Sequence, residues 1–217
     1  MDNYVKLKKL GSGSFGHIYL VKHIQDDQLY VLKSIDMKSL TKQQRRDAVK
    51  EVQIQSQFNN PYIVQYKEYF YSNKSIDSLP ALQHRSQYDN LSNNMIQQHK
   101  QRSITSNSLD NIDLQHGTIL YIIMEYADNG DLDQKIKSNK SKSLYDESTI
   151  LRIITQICIA LQQIHLKHII HRDIKCENIF MMKNGDVKLG DFGISKTLQN
   201  TLAQAHTRIG GWLDIYC

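Results

Sequence analysis

Two short segments in the last third of the chain contain the residues whose types and spacing could do chemistry. They read His171-Arg172-Asp173-Ile174-Lys175-Cys176-Glu177-Asn178 and Gly190-Asp191-Phe192-Gly193. Asp173 could accept a proton from a hydroxyl group, and Lys175 could neutralise a phosphate. Asn178 and Asp191 offer the hard oxygen ligands that Mg²⁺ prefers. This combination is suited to the transfer of a γ-phosphoryl group from Mg·ATP to a hydroxyl, because that reaction depends on positioning and charge neutralisation.

A glycine-rich segment near the N-terminus could contact phosphates. It reads Gly11-Ser12-Gly13-Ser14-Phe15-Gly16. Glycine has no Cβ, so backbone N–H groups can approach phosphate oxygens closely. A dinucleotide-binding fold requires a helix directly after such a segment, whereas the strand-like residues His17 to Val21 follow here. The order therefore favours a hairpin that covers a triphosphate.

Lys33 stands among apolar residues in the middle of a predicted strand. A buried lysine is costly without an anionic partner. Residues 41–58 have the pattern of a helix capped by Thr41, and Glu51 falls on its inward face. We expect Glu51 to pair with Lys33 and to hold it against the α- and β-phosphates.

The elements that must position these residues change character along the chain. The first 36 residues predict three antiparallel strands, and residues 62–71 and 118–125 predict two more. Residues 73–117 between them are rich in Ser, Asn and Gln, and we interpret them as a disordered insertion. The insertion is either a tolerated spacer or a carrier of regulation or partner contacts.

The second part of the chain is predicted to be mainly helical, so the fold class is α+β. Helices are expected at 131–138 and 146–165, followed by short strands around residues 178–182 and 186–189. The longer helix has an apolar stripe at close to 3.6-residue spacing: Ile150, Leu151, Ile154, Ile157, Cys158, Leu161 and Ile164. Polar residues such as Arg152 and Gln156 interrupt it, so we expect it not to span a membrane.

Taken in order, these motifs resemble those of the eukaryotic protein kinase family. Lys175 within its motif resembles the serine/threonine kinases. Finer features are similar to the NIMA-related (NEK) group, namely Gly-Ser-Gly-Ser-Phe-Gly, Tyr-Ile-Ile-Met-Glu-Tyr-Ala-Asp-Asn-Gly-Asp-Leu, Asp-Ile-Lys-Cys-Glu-Asn-Ile-Phe and Gly-Asp-Phe-Gly-Ile-Ser-Lys. The resemblance implies a two-lobed protein-kinase-like fold, with residues 1–127 as the antiparallel β N-lobe with one helix and the hinge, and 128–210 as the first part of a mainly α, incomplete C-lobe.

The same resemblance implies ATP and Mg²⁺ as cofactors and a protein as substrate. Met124 would be the gatekeeper, and Glu125 to Ala127 the hinge whose backbone reads the adenine edge. The implied nucleotide site comprises Gly11, Ser12, Gly13, Ser14, Phe15, Gly16, Ile18, Val31, Lys33, Met124, Glu125 and Ala127, with Asn178 and Asp191 on the metal. Asp173, Lys175, Lys33 and Glu51 would be catalytic. Thr207 matches a phosphorylated position on the activation segment, where a phosphate would face Arg172.

Composition limits the other function classes. The net charge is +5, from 27 basic and 22 acidic residues, and the charges are scattered, so we expect neither nucleic-acid nor membrane binding. The three cysteines form no CxxC pair, which favours a reducing compartment, and the N-terminus lacks a signal-peptide pattern. We therefore expect an intracellular, cytoplasmic protein of undetermined oligomeric state.

The resemblance stops after Gly210. The family pattern continues with Thr-Pro-Tyr-Tyr, whereas residues 211–217 read Gly-Trp-Leu-Asp-Ile-Tyr-Cys. Three hypotheses stay open: a working serine/threonine kinase, a catalytically weak or inactive nucleotide-binding or decoy module, and a tail that arises from an error in the gene prediction.

Overall fold

The computed structural model of the protein describes residues 3–13, 16–78, 118–139, 145–192 and 196–197. Ser14, Phe15 and Thr207, residues 79–117 of the predicted insertion and the tail 211–217 lie outside the described residues.

A five-stranded antiparallel sheet forms the first part of the fold. Its strands are β1 (Tyr4–Gly13), β2 (Gly16–His23), β3 (Leu29–Asp36), β4 (Tyr66–Ser72) and β5 (Ile119–Glu125), in the spatial order β1-β2-β3-β5-β4. The sequence predicted that β1 ends at Leu10, but it continues to Gly13, which pairs with Gly16. Gly11, Gly13 and Gly16 therefore lie where β1 and β2 last pair, which is called the tip of the β1–β2 hairpin below.

The two faces of this sheet have different partners, because successive side chains of a strand point to opposite faces. On one face Tyr19, Leu32 and Tyr121 form an aromatic-rich cluster. On the other face Ile35 and Ile122 pack with the helix α1. Lys33 alternates with Leu32 and thus faces the side of α1.

Helix α1 (Lys42–Gln55) begins and ends by local rules. Thr41 caps it: its Oγ1 accepts a hydrogen bond from Gln44 N–H, and the Gln44 side chain accepts from Thr41 N–H at 2.9 Å, which is a capping box. The sequence predicted helix as far as Phe58. The helix ends at Gln55, and Phe58 is nonetheless 3% exposed because it packs in the core of the second part.

Strand β4 begins at Tyr66 rather than at the predicted Tyr62. Residues 62–65 run instead beside a strand of the second part, where Val64 N–H donates to Leu189 O at 2.9 Å and Leu189 N–H donates to Tyr62 O at 2.8 Å. These backbone bonds connect the two parts of the fold.

The predicted insertion begins later than residue 73. Residues 76–78 form a 3-10 turn, and Ile76 is 3% exposed within the aromatic-rich cluster. The Asn73 side chain accepts from Thr118 N–H at 3.1 Å, and Tyr121 Oη donates to Lys74 O at 2.9 Å. Residues 73–78 are therefore part of the folded structure.

The second part contains helices α2 (Leu132–Asn139) and α3 (Glu147–Leu166) and two small antiparallel pairs of strands. One pair is β6 (Ile169–Ile170) with β9 (Lys196–Thr197), and the other is β7 (Ile179–Met181) with β8 (Val187–Leu189). Apolar residues of α3, β7 and β8 surround Ile164 and Leu189, both fully buried, in a single core.

The inward face of α3 differs from the predicted stripe. Ile153, Gln156, Ala160 and Ile164 are its buried residues, whereas Ile150, Leu151 and Ile154 of the stripe are 45%, 55% and 51% exposed. The helix is also long and apolar enough to cross a bilayer by length and composition alone. A single such helix is weak evidence for a membrane span, because core helices of soluble proteins can have the same length and composition. The expectation drawn from its polar residues, that this helix does not span a membrane, therefore stays a prediction.

Candidate active site

The predicted ion pair between Lys33 and Glu51 is present. The Lys33 Nζ and Glu51 Oε1 atoms are 2.6 Å apart, and the two side chains are 16% and 7% exposed. Strand β3 supplies the lysine and the inward face of α1 supplies the carboxylate. The pair therefore fixes α1 against the sheet.

The sheet places the residues of the implied adenine pocket on the same face as Lys33. Ile18 lies directly opposite Lys33, and Val31 lies directly opposite Met124. Directly paired residues share a face of an antiparallel sheet, and all four side chains are partly buried. Ala127, two residues after the end of β5, is also partly buried.

The glycines of the hairpin tip have different surroundings. A Cβ on Gly16 would lie 1.7 Å from the carbonyl oxygen of Ser34, so the close approach of β2 to β3 requires glycine there. A Cβ on Gly11 would meet nothing within 4 Å. Gly16 thus has a structural role that the sequence did not indicate, and the space above Gly11 is open.

A network of hydrogen bonds holds the carboxylate of Asp173. Its Oδ2 accepts from Lys175 Nζ at 2.9 Å and from Asn178 Nδ2 at 2.8 Å, and the same Nδ2 donates to the Asp173 carbonyl at 2.9 Å. The carboxylate raises the pKa of Lys175, which keeps that side chain charged. The structure thus brings together three residues that the sequence singled out.

The β7–β8 hairpin brings Asn178 and Asp191 to one place. Asn178 ends a 3-10 turn directly before β7, Asp191 comes shortly after β8, and Gly190 N–H donates to Asn178 O at 3.0 Å. Asp191 has a φ of 60°, an unfavourable conformation for a residue with a side chain. The hydrogen bond with Asp173 raises the pKa of Lys175 most, and the charge of Asp191 raises it further, so Asp191 lies near the Lys175–Asp173 pair.

His171 and Phe192 support this neighbourhood from the core. His171 Nε2 lies 3.0 Å from Gly190 O, and Asp173 N–H donates to His171 Nδ1 at 3.3 Å. That arrangement fits the neutral ring with its proton on Nε2, and burial lowers the pKa of His171. Phe192 is fully buried, stacks on Phe58 with ring centres 5.5 Å apart, and contacts His171 at 5.0 Å.

Two residues that position the site were missed by the sequence reasoning. Gln156 of α3 donates to Asp186 Oδ1 at 2.7 Å and accepts from Val187 N–H at 2.8 Å, so it anchors the β7–β8 hairpin. Lys188 of β8 pairs with Glu125 at 3.0 Å. The sequence did contain a signal for Gln156. A polar residue within an apolar helix can indicate a buried hydrogen bond, whereas we had interpreted it only as a break in the apolar stripe. The role of Lys188 depends on a contact with Glu125, which is distant in the sequence, so the residues around Lys188 did not indicate it.

A family model described as Protein kinase domain matches residues 4–211. The chain is similar to three mouse (Mus musculus) proteins: Serine/threonine-protein kinase Nek1, 36% identical over 97% of this chain; Nek3, 35% identical over 97%; and Nek4, 33% identical over 95%. These alignments cover 14%, 32% and 21% of the relatives' own lengths. The chain therefore spans less than a third of each of these proteins.

Proposed function

The chain belongs to the protein kinase family, and we propose that it transfers the γ-phosphate of Mg·ATP to serine and threonine hydroxyls of protein substrates. One observation carries this proposal: the Asp173 carboxylate is held by Lys175 and Asn178 beside Asp191. In the proposed function, this arrangement would supply one base, one cation and two oxygen ligands for a metal ion at a single place.

The nucleotide would lie against the sheet face that carries Lys33. Ile18, Val31 and Met124 would contact the adenine, and the backbone of 125–127 would read its polar edge. The glycine-rich segment 11–16 would cover the phosphates, and Lys33, oriented by Glu51 at 2.6 Å, would contact the α- and β-phosphates.

The donor set at Asn178 and Asp191 fits Mg²⁺. Asn178 uses its Nδ2 on Asp173, which leaves its Oδ1 as a hard ligand, and Asp191 adds a carboxylate. No cluster of three His, Cys, Asp or Glu residues occurs in the part of the chain that the structure describes. Such a cluster is not required, because Mg²⁺ is usually held by one or two side chains together with substrate phosphates. When bound, the ion would neutralise charge on the phosphates.

Each group has a task in the transfer step. Asp173 orients the substrate hydroxyl and accepts its proton as the hydroxyl oxygen bonds to the γ-phosphorus. The bond from that phosphorus to the β–γ bridging oxygen breaks, and ADP leaves with the electron pair. Lys175, already 2.9 Å from Asp173, neutralises the equatorial oxygens of the transferred group.

Two measurements test the proposal. Mg·ATP is expected to raise the melting temperature of the chain, and Asp191→Ala is expected to abolish that shift. Transfer of labelled phosphate to casein is expected to be weak and to disappear in Asp173→Asn, a variant that keeps the size of the side chain. If the thermal shift persists unchanged in Asp191→Ala, the assignment of the metal site is wrong.

The second candidate is a nucleotide-binding or decoy module without transfer activity. The observation in its favour is the exposed apolar face of α3. Among the described residues, nothing packs over this face. A chain that binds Mg·ATP, with Asp191→Ala abolishing binding, but that phosphorylates no substrate would support this candidate over the first.

We further propose a modification site and a cellular location for the protein. Thr207 would be phosphorylated and its phosphate would face Arg172. The protein would act in the cytoplasm, on protein substrates, without nucleic-acid or membrane binding. Free thiols fit a reducing compartment, and Cys158 and Cys176 are free cysteines in the structure.

A further inference from the structure

Glu125, the last residue of β5, has its carboxylate held from two sides. Gln65 N–H donates to Glu125 Oε2 at 3.1 Å, and Lys188 Nζ lies 3.0 Å from Glu125 Oε1. The backbone N–H of Glu125 also donates to Gln65 O at 2.8 Å. Both carboxylate oxygens are thus hydrogen-bonded or ion-paired, one with the residue directly before β4 and one with a residue of β8.

Lys188 is placed to make this contact by the geometry of β8. Its neighbours Val187 and Leu189 are 1% and 0% exposed in the core with α3. Alternation along the strand therefore directs Lys188 to the opposite side. The side chain of Lys188 is only 13% exposed and that of Glu125 is 28% exposed, and a cation in such a position needs an anionic partner.

The pair joins the two regions that a bound nucleotide would bridge. Glu125 begins the hinge, defined here as residues 125–127, and Lys188 lies three residues before Asp191 in the chain. Backbone bonds of residues 62–65 with Leu189 tie the same two regions, but they do not depend on side chains. The Glu125–Lys188 pair is a side-chain contact and can be removed without breaking the strand.

We propose that Lys188 is a positioning residue for nucleotide binding: its ion pair with Glu125 fixes the hinge at a set distance from the strand that carries Asp191. This inference rests on the proposed function, because it assumes that the hinge binds adenine and that Asp191 binds the metal. Without the pair the hinge would move more freely relative to Asp191, and binding would have to order both ends.

The test compares Lys188→Met, which removes the charge but keeps the length of the stem, with Lys188→Arg, which keeps the charge. Lys183→Met is the matched control, since Lys183 lies on the same hairpin, is 77% exposed and is 3.6 Å from Asp128. The affinity for Mg·ADP is measured by titration calorimetry, and hydrogen exchange is measured at the hinge amides without nucleotide. Lys188→Met is expected to weaken Mg·ADP binding by about threefold to tenfold, the effect of a partly buried pair, and to speed exchange at the hinge. Lys188→Arg and Lys183→Met are expected to behave like the unaltered chain.

Several results would overturn the inference. One is Lys188→Met binding Mg·ADP as tightly as Lys183→Met. Another is a lowered melting temperature with unchanged affinity and unchanged hinge exchange, which would assign Lys188 a stabilising role only. If the unaltered chain binds no nucleotide, the proposed function fails. Hinge exchange in Lys188→Met then decides the inference by itself, and exchange equal to that of Lys183→Met refutes it.

Discussion

Replacement of Gln156 by alanine is expected to loosen the β7–β8 hairpin, which is flanked by the two proposed metal ligands, Asn178 and Asp191. Gln156 is 6% exposed in the middle of α3, and its carboxamide makes two hydrogen bonds to the β7–β8 hairpin. The hairpin begins just after Asn178 and ends just before Asp191. The anchor therefore acts on the candidate active site through the backbone.

The magnitude follows from the groups that the substitution leaves behind. Val187 is 1% exposed, so its N–H loses its acceptor in a place without water, which costs about 1–3 kcal/mol. Loss of the buried side-chain stem adds about 1 kcal/mol. Asp186 loses less, because its Oδ2 still accepts from Asn184 at 2.7 Å. The free energy of unfolding is therefore expected to fall by about 2–4 kcal/mol.

The assay is urea unfolding followed by circular dichroism, with Gln162→Ala as the matched control. Gln162 lies on the same helix and is exposed, so its replacement is expected to change the free energy of unfolding by less than about 0.5 kcal/mol. Gln156→Met keeps most of the volume but no hydrogen bond, and is expected to destabilise almost as much as alanine. Equal unfolding midpoints for Gln156→Ala and Gln162→Ala would show that the anchor contributes nothing and that the reasoning is wrong.

Two further predictions concern the pH and the surface. Burial lowers the pKa of His171, so on acidification the unfolded chain takes up a proton near pH 6.5 while the folded chain does not. The contribution of the neutral ring to stability is therefore complete above about pH 6.5. Below that, the free energy of unfolding falls by about 1.4 kcal/mol for each pH unit until the folded chain is protonated as well. The urea midpoint is thus expected to fall more steeply between about pH 7 and 5 than in His171→Gln, and parallel slopes would contradict this. Ile154 is 51% exposed and its neighbour Ile153 is 7% exposed. Ile154→Lys is therefore expected to raise solubility in light scattering with little change in stability, whereas Ile153→Lys costs about 4 kcal/mol or more. Similar losses for both variants would show that the face of α3 is assigned wrongly.

Local chemistry explains why several features could be predicted from the sequence. Thr41 was predicted to cap α1, and an N-cap needs only a side-chain oxygen directly before the first turn of the helix. The inward position of Glu51 follows from helical periodicity, and Lys33 in an apolar strand requires an anionic partner wherever that partner comes from. Each of these predictions depends on a short stretch of chain and a strong energetic demand.

Contacts between distant segments explain where the predictions failed. Tyr62 belongs by composition to a strand, yet residues 62–65 bond to Leu189, more than 120 residues away in the sequence. Ile76 lies in a polar stretch that reads as disordered, but it fills a space among Tyr19 and Tyr121 that only the assembled sheet creates. A window of neighbouring residues does not contain the partner that decides such cases.

Helix α3 shows most clearly how a polar residue can be more informative than an apolar pattern. Apolar side chains cover a wide arc of this helix, so periodicity alone does not fix which part of the arc is buried. The predicted stripe included Ile150 and Ile154, but the buried face is the one that contains Gln156. A buried amide must find hydrogen-bond partners, and here the partners are the backbone and side chain of the β7–β8 hairpin. The polar residue therefore marks the face of α3 that packs against the β7–β8 hairpin, whose two ends adjoin Asn178 and Asp191.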